Sequence, residues 1–261
     1  ECLHALASPG ICNRIVSAHT IQRSRILQQI IDSANHVRTF FPLTPDSTGR
    51  LRLHRVGWRE ASTFTGFCAK HDSLAFGPLE RPAFAGTAEQ CFLVGYRALC
   101  HEVYQKSGAL KAMPVLRHMV DKGLPVELQR QLQHTYAVME AGFRDGLAAF
   151  HKLKAVMDGQ LVRREYSGRS RAVISFRGDL CVGSTGGVSP NRDVEGQQLQ
   201  VLHDPHADQE SLLLGVVATP KGGAVVLTWP GRETAPHAFV ESLLKKGDQR
   251  LPSLLAQFMF A

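Results

Sequence analysis

The sequence predicts an α+β protein in three blocks: a small zinc-bound module over residues 1–82, a long helical hairpin over 83–166, and an α+β domain with a mainly antiparallel sheet over 167–261. Three observations carry this. Cys and His residues gather in two stretches, Glu1–Ile21 and Thr63–Phe76, which together supply a metal site. The stripe Leu128, Leu132, Tyr136, Met139, Phe143, Leu147, Phe150, Leu153 and Met157 steps by threes and fours. After Tyr166 the chain changes to short apolar runs separated by Gly, Pro and Asp.

In chain order, Ile15-Val16 and Thr20-Ile21 predict a short strand or hairpin arm ending near His19. Ile26, Leu27, Ile30 and Ile31 predict a helix over residues 22 to 34, ended by Asn35-His36. Phe41 to Gly49, with two prolines, reads as a loop, and residues 50 to 56 alternate as a half-buried strand with a basic outer face. Cys68 to His71 opens a helix with Leu74, Ala75 and Phe76 inward. Thr87-Ala-Glu-Gln90 fits a capping box, starting a helix of about five turns to Gly108 that buries Phe92, Leu99 and Val103. The segment 115 to 122 links it to the long helix that begins near Pro125. Beyond the polar boundary at 158–170, strands are expected at 173–176, 199–202, 212–218 and 224–229, and a helix at 239–244.

Composition narrows the function. With 44% apolar residues the chain is long enough for a packed core, and no run approaches a membrane span or a secretory signal. A chain that starts at Glu1 and stops at an apolar Phe258-Met-Phe-Ala261 is expected to be a trimmed piece, with room for a ligand upstream of Cys2. Six unevenly placed cysteines fit a reducing, cytoplasmic setting with one metal site, and Cys91, Cys100 and Cys181 read as buried apolar residues. The net charge of +7 is partly clustered at Arg50, Arg52, Arg55 and Arg59 and at Arg163, Arg164, Arg169 and Arg171. Such clusters fit either phosphate contacts or a solvated surface.

Cys68-x-x-His71 ahead of a helix has knuckle form, and Cys2 and Cys12 lie in a polar segment where unligated cysteines are unusual. The expected zinc ligands are Cys2, Cys12, Cys68 and His71, with His4 or His19 able to replace one of them. Gly183 to Gly187 lacks the lysine of a P-loop and reads as a glycine-rich hairpin; His203 to Asp208 reads as an exposed loop. The basic stretch Arg50 to Arg59, beside Trp58, is the best candidate surface for DNA or RNA.

Cysteines ahead of Ala18-His19-Thr20-Ile21, followed by Phe67-Cys68-x-x-His71-Asp72 before a helix, resemble the treble-clef, HNH endonuclease arrangement. The resemblance covers about residues 1 to 80 and extends to a group of bacterial proteins sharing the Ala-His-Thr and Thr-Phe-Thr-Gly-Phe-Cys-x-x-His-Asp patterns. It implies a ββα, treble-clef-like module, a structural zinc, His19 as the base that activates water, Asn35 as its orienting residue, and Asp72 as ligand to Mg2+ or another divalent cation. The chain departs from the family pattern in the wide Cys2 to Cys12 spacing, a long middle insertion, and Asp72 where the last histidine is usual. Two functions follow as expectations. The first is a nucleic-acid-binding protein and metal-dependent endonuclease of bacterial antiphage defence. The second is a non-catalytic, zinc-stapled module that binds a protein partner, or a second copy, through the helical hairpin.

Overall fold

In the computed structural model, residues 1–40, 50, 52–202 and 207–260 are described. β-branched Ile15 and Val16 start the first strand, β1 (Ile15–His19). A π-type turn over Arg23–Leu27 then leads into one α-helical turn, α1 (Gln28–Ile30), so the helix expected over residues 22 to 34 is far shorter. Asp32 explains the early stop. Its carboxylate accepts the amides of Ala34 and His36 at 2.9 and 3.0 Å, offering the backbone an alternative to helical bonds, and Asn35 turns left-handed (φ 59°).

The chain emerges as β2 (His36–Thr39), a strand not expected from the sequence. It pairs antiparallel with β3 (His54–Gly57), with Val37 opposite Val56 and Arg38 opposite Arg55. Alternation puts the valines on the face that packs with Leu27, Ala61 and Trp58, and leaves both arginines exposed. β3 starts later than the expected strand, leaving Arg50 and Arg52 ahead of it; the expected loop Phe41 to Gly49 lies outside the described residues.

β4 (Thr63–Cys68) returns antiparallel to β1, with Ile15 opposite Cys68 and His19 opposite Thr63. Only glycine fits at position 66, because a Cβ there would meet the Phe64 ring at 2.3 Å. The Gly66 carbonyl accepts the Leu3 amide at 2.8 Å, which lays the N-terminal segment against β4. α2 (Ala69–Glu80) follows directly. It buries Ala75 and Phe76 as expected, but Leu74 is exposed: neighbouring helical residues point about 100° apart, so three in a row cannot share one inward face.

α3 (Ala88–Met119) begins where the Thr87 hydroxyl accepts the Gln90 amide at 3.2 Å. The reciprocal half of the expected capping box is absent. Gln90 instead accepts the Ala85 amide (2.8 Å) and donates to the carbonyls of Ala83 and Pro78, tying down the Pro-rich connection. Phe92, Leu99 and Val103 are buried as expected. The helix does not stop at Gly108 but runs through Pro114, because its far end is held by packing. Met113 is buried, and Arg117 bonds Gln133 and Glu140 of α4 (Val126–Arg163). The helical hairpin is thus present, but of its nine-residue stripe only Phe150 and Met157 are buried.

The remaining strands are β5 (Ser170–Arg177), β6 (Thr185–Val188), β7 (Leu212–Thr219) and β8 (Gly222–Trp229), in the order β5-β8-β7-β6. α5 (Ala235–Leu244) and α6 (Gly247–Phe260) close the chain. The strand expected at 199–202 is irregular, its neighbourhood carrying only an isolated bridge between Arg192 and Gln198, and the glycine-rich stretch supplies β6. Cys91 and Cys100 are buried, whereas Cys181, in the connection before β6, is exposed, contrary to expectation. Of the expected loop at His203 to Asp208, positions 203–206 lie outside the described residues, and Asp208 pairs with Lys152.

The α+β class stands, with antiparallel sheets, and among the described residues no helix is long and apolar enough to cross a membrane. Contacts divide the chain into two units, Glu1–Ala98 with Arg171–Thr185 and Leu214–Thr228, and Leu99–Ser170 with Gly186–Leu213 and Trp229–Ala261. Both draw on non-consecutive stretches, so they cut across the sequence-based boundaries at 82/83 and 166/167. Replacing Gly66 with alanine should destabilise the fold by about 1–3 kcal/mol, the usual cost of overpacking, measured by denaturant unfolding.

Candidate metal centre

The site is assembled at one end of the β1/β4 pair. Cys2 precedes Leu3, whose amide is bound at Gly66. Cys12 ends a turn in which the amides of Ile11 and Cys12 both reach the Ser8 carbonyl. Next to it, the Arg14 carbonyl accepts the Ala69 amide (2.9 Å) and the Asn13 side chain accepts that of Lys70 (3.1 Å), fastening this turn to the start of α2. Cys68 is the last residue of β4 and the N-cap of α2, and His71 lies in the first helical turn.

Cys2, Cys12, Cys68 and His71 therefore converge, with all four ligand atoms within 4.8 Å of one another. His71 Nδ1 stands 3.5 Å from Cys2 Sγ, 3.5 Å from Cys12 Sγ and 3.3 Å from Cys68 Sγ. The Cys68 amide donates to Cys2 Sγ at 3.4 Å. All three cysteines are free. These four residues can hold a metal ion. Neither histidine weighed as a substitute joins them. His4 stacks flat on His71 at 4.3 Å while its Nδ1 accepts the Leu6 amide, and His19 lies at the other end of β1.

Electrostatics prepare part of the set. Burial, helped by Lys70, pushes the His71 pKa down, keeping the imidazole neutral as a ligand must be. Burial raises the Cys68 thiol, but backbone bonds involving His71 and Asn13 and the contacts of Cys2 and Cys12 together outweigh it, and the net shift is downward. Cys12 is raised, chiefly by burial.

The expected catalytic residues are dispersed around this module. His19 ends β1, its Nδ1 3.1 Å from the Ala61 carbonyl. A carbonyl only accepts, so Nδ1 carries the hydrogen and Nε2 of the neutral ring keeps its lone pair. Burial first, then Arg23 and Arg97, lower the His19 pKa. Asp72, in the first turn of α2, has a buried Oδ1 without a hydrogen-bond partner, and burial raises its pKa against the pull of Arg97. Asn35 lies on the exposed turn before β2, its carbonyl accepting the Trp58 amide, and no hydrogen bond joins it to His19 among the described residues. Among those residues, the Cys/His set is the one group of three or more potential ligands, and it includes neither His19 nor Asp72.

Arg97 was not singled out from the sequence. It is 3% exposed, lies 4.1 Å over the Phe76 ring, and donates to Glu80 at 2.7 Å, with its Nε buried and unpartnered. Its signal was present: a lone cation inside the apolar run Leu93 to Cys100. Of the arginine surface, Arg50 and Arg52 are exposed ahead of β3, and Arg55 pairs with Asp32 at 2.6 Å. Arg59 stands 6.0 Å from the Trp58 ring and Arg23, not singled out from the sequence, 5.6 Å from the same ring, so these two flank Trp58.

No known protein family, curated protein or solved structure matches this chain.

Chelator should abolish metal binding and speed amide exchange across β1, β4 and the start of α2, with Cys68→Ser reproducing the effect and His4→Ala weakening metal affinity about tenfold; mass spectrometry checks both. A folded-state pKa lowered by burial means that the neutral His19 ring is the form the fold favours. That contribution is present above the unfolded value of about 6.5 and is lost as pH falls through the folded one. NMR titration should therefore give a His19 midpoint below about 6.5.

Proposed function

We propose that Cys2, Cys12, Cys68 and His71 hold a structural zinc ion, and that the module it pins is HNH-like, binds nucleic acid and hydrolyses a phosphodiester with His19 as general base. Support for zinc comes from the ligand spacing. Tetrahedral zinc, with bonds of about 2.3 Å to sulfur and about 2.0–2.1 Å to nitrogen, sets S and N about 3.5 Å apart. The three distances of 3.3 to 3.5 Å fit that value, and three thiolates with one imidazole suit a soft, tetrahedral ion. Four protein ligands leave no open position, hence a structural rather than catalytic ion.

The observation that carries the catalytic reading is the state of His19. A ring held through Nδ1 by Ala61, with a lowered pKa, presents an unprotonated Nε2 near neutral pH, the form that takes a proton from water. Asp72 would be the carboxylate ligand of a divalent cation such as Mg2+, which when bound stabilises charge developing on the phosphate. Arg23 and Arg59 beside Trp58, with Arg38 and Arg55 on the exposed face of β2 and β3, offer phosphate contacts and an aromatic face to DNA or RNA. One observation favours the alternative, a zinc-stapled interaction module in which the helical hairpin binds a protein or a second copy. Leu128 and Met139 of the α4 stripe are 41% and 45% exposed, an apolar surface with an interface character.

On the catalytic reading, His19→Ala lowers Mg2+-dependent cleavage of DNA or RNA at least ~100-fold, the scale of general-base catalysis, while zinc content stays at one per chain. Loss of zinc from that variant, or unchanged cleavage, would refute the role given to His19. Arg38→Ala with Arg59→Ala should flatten the salt dependence of nucleic-acid binding by about two phosphate contacts, measured by fluorescence anisotropy at several salt concentrations.

A further inference from the structure

β5 is an unusual strand for a folded protein. It ends the sheet, with β8 on one side, and none of its eight residues is buried apart from a half-buried minority, whereas Leu212 to Ala218 of β7 are buried without exception. Beyond the sheet's own ladder, the described backbone bonds in this region run only from the Gly178 amide to the Lys221 carbonyl. A long, flat, unpaired edge is a template for another strand, and proteins usually block it with proline, a bulge or a covering element. β5 has no proline and carries apolar Val173, Ile174 and Phe176 in its middle.

Along this strand runs a groove of about 370 Å3. Phe84, Val173, Phe176 and Pro220 give it an apolar floor, and Arg177 and Lys221 line it with positive charge; no acidic residue lines it. Arg171 stands at the other end of β5, and among the described residues no ion pair engages Arg171, Arg177 or Lys221. The groove spans β5 from Phe84 to the turn that joins β7 and β8, and its uncompensated cations beside an edge strand select an occupant by shape and charge.

We propose that β5 and this groove bind an extended, acidic peptide segment of a partner protein, which adds to the sheet as a strand, sets an apolar side chain over Val173 and, on that same face of β5, pairs carboxylates with Arg171 and Arg177, with Lys221 across the groove as a further cation. Backbone bonds to the open edge supply affinity, and alternate side chains supply specificity. A second copy of this chain fits poorly. Antiparallel pairing of two β5 strands centred on Ile174 sets Arg171 of each against Arg177 of the other, and like charges directly opposite are destabilising. Nucleic acid would satisfy the cations but has no strand to offer the edge.

The test uses the full chain and two fluorescein-labelled seven-residue peptides of valine and threonine that differ only at their first and seventh positions, glutamate in one and lysine in the other, so that the charged residues and an inner valine share a face as Arg171, Val173 and Arg177 do. The acidic peptide should bind at least tenfold more tightly and slow amide exchange within residues 171–177. Charge reversal at two exposed positions, Arg177→Glu with Lys221→Glu, should invert the preference, and the single exposed change Ser175→Glu should weaken the acidic peptide if the double variant does not fold. Equal affinity for both peptides, protection away from β5, or equally effective competition by an oligodeoxynucleotide would overturn the proposal. Protection of β5 that grows with protein concentration in the absence of peptide would assign the edge to a second copy instead, and so also overturn it.

Discussion

Three sulfur atoms face one imidazole nitrogen at 3.3 to 3.5 Å, and the N-terminal region is arranged around that contact. The residues involved come from three places: a segment held by a backbone bond to Gly66, a turn fastened to the start of α2, and the β4/α2 junction itself. Little else secures Glu1 to Asn13, which contains no strand or helix. Without an ion between them, three thiols would be weak hydrogen-bond partners for a buried imidazole. With one, the same geometry becomes a cross-link between stretches more than fifty residues apart in sequence, and binding and folding of the region become one process.

That cross-link also fixes the register of β1 against β4, and through it the position of His19. The ligands gather at the end of the ladder where Ile15 faces Cys68, while His19 faces Thr63 at the other end. An ion held at one end would pin the strands that place the His19 imidazole at the other. Arg97 adds a buried charge to the same neighbourhood. Paired with Glu80 and stacked on Phe76, it helps keep His19 neutral, a role no local pattern around His19 could announce.

The Cys/His cluster was legible because two signals combined: cysteines in a polar segment, where they are usually buried instead, and Cys-x-x-His before a helix. Of the ββα order β1, β4, α2, the residues announced β1 and the start of α2, whereas β4 was implied only by the family resemblance, because Thr63 to Cys68 has no clear alternation of apolar and polar residues. β2 was not, because the helical spacing of Ile26 to Ile31 competes with an Asp32 turn whose bonds reach two and four residues ahead. The length of α3 was also missed, because Gly108 and Pro114 are local stop signals and the contacts of Met113 and Arg117 that override them are distant in sequence. Exposure of Cys181 and of much of the α4 stripe is a tertiary property; periodicity shows that a face is apolar, not that anything covers it.

Whether Cys2, Cys12, Cys68 and His71 hold an ion, and which one, decides how the N-terminal module is held together. X-ray absorption at the zinc edge on the purified protein measures these directly. The expected result is one zinc per chain with three sulfur neighbours near ~2.3 Å and one nitrogen near ~2.0 Å. A shell of nitrogen and oxygen alone, or a protein that folds fully with its three thiols free and no zinc bound, would contradict it.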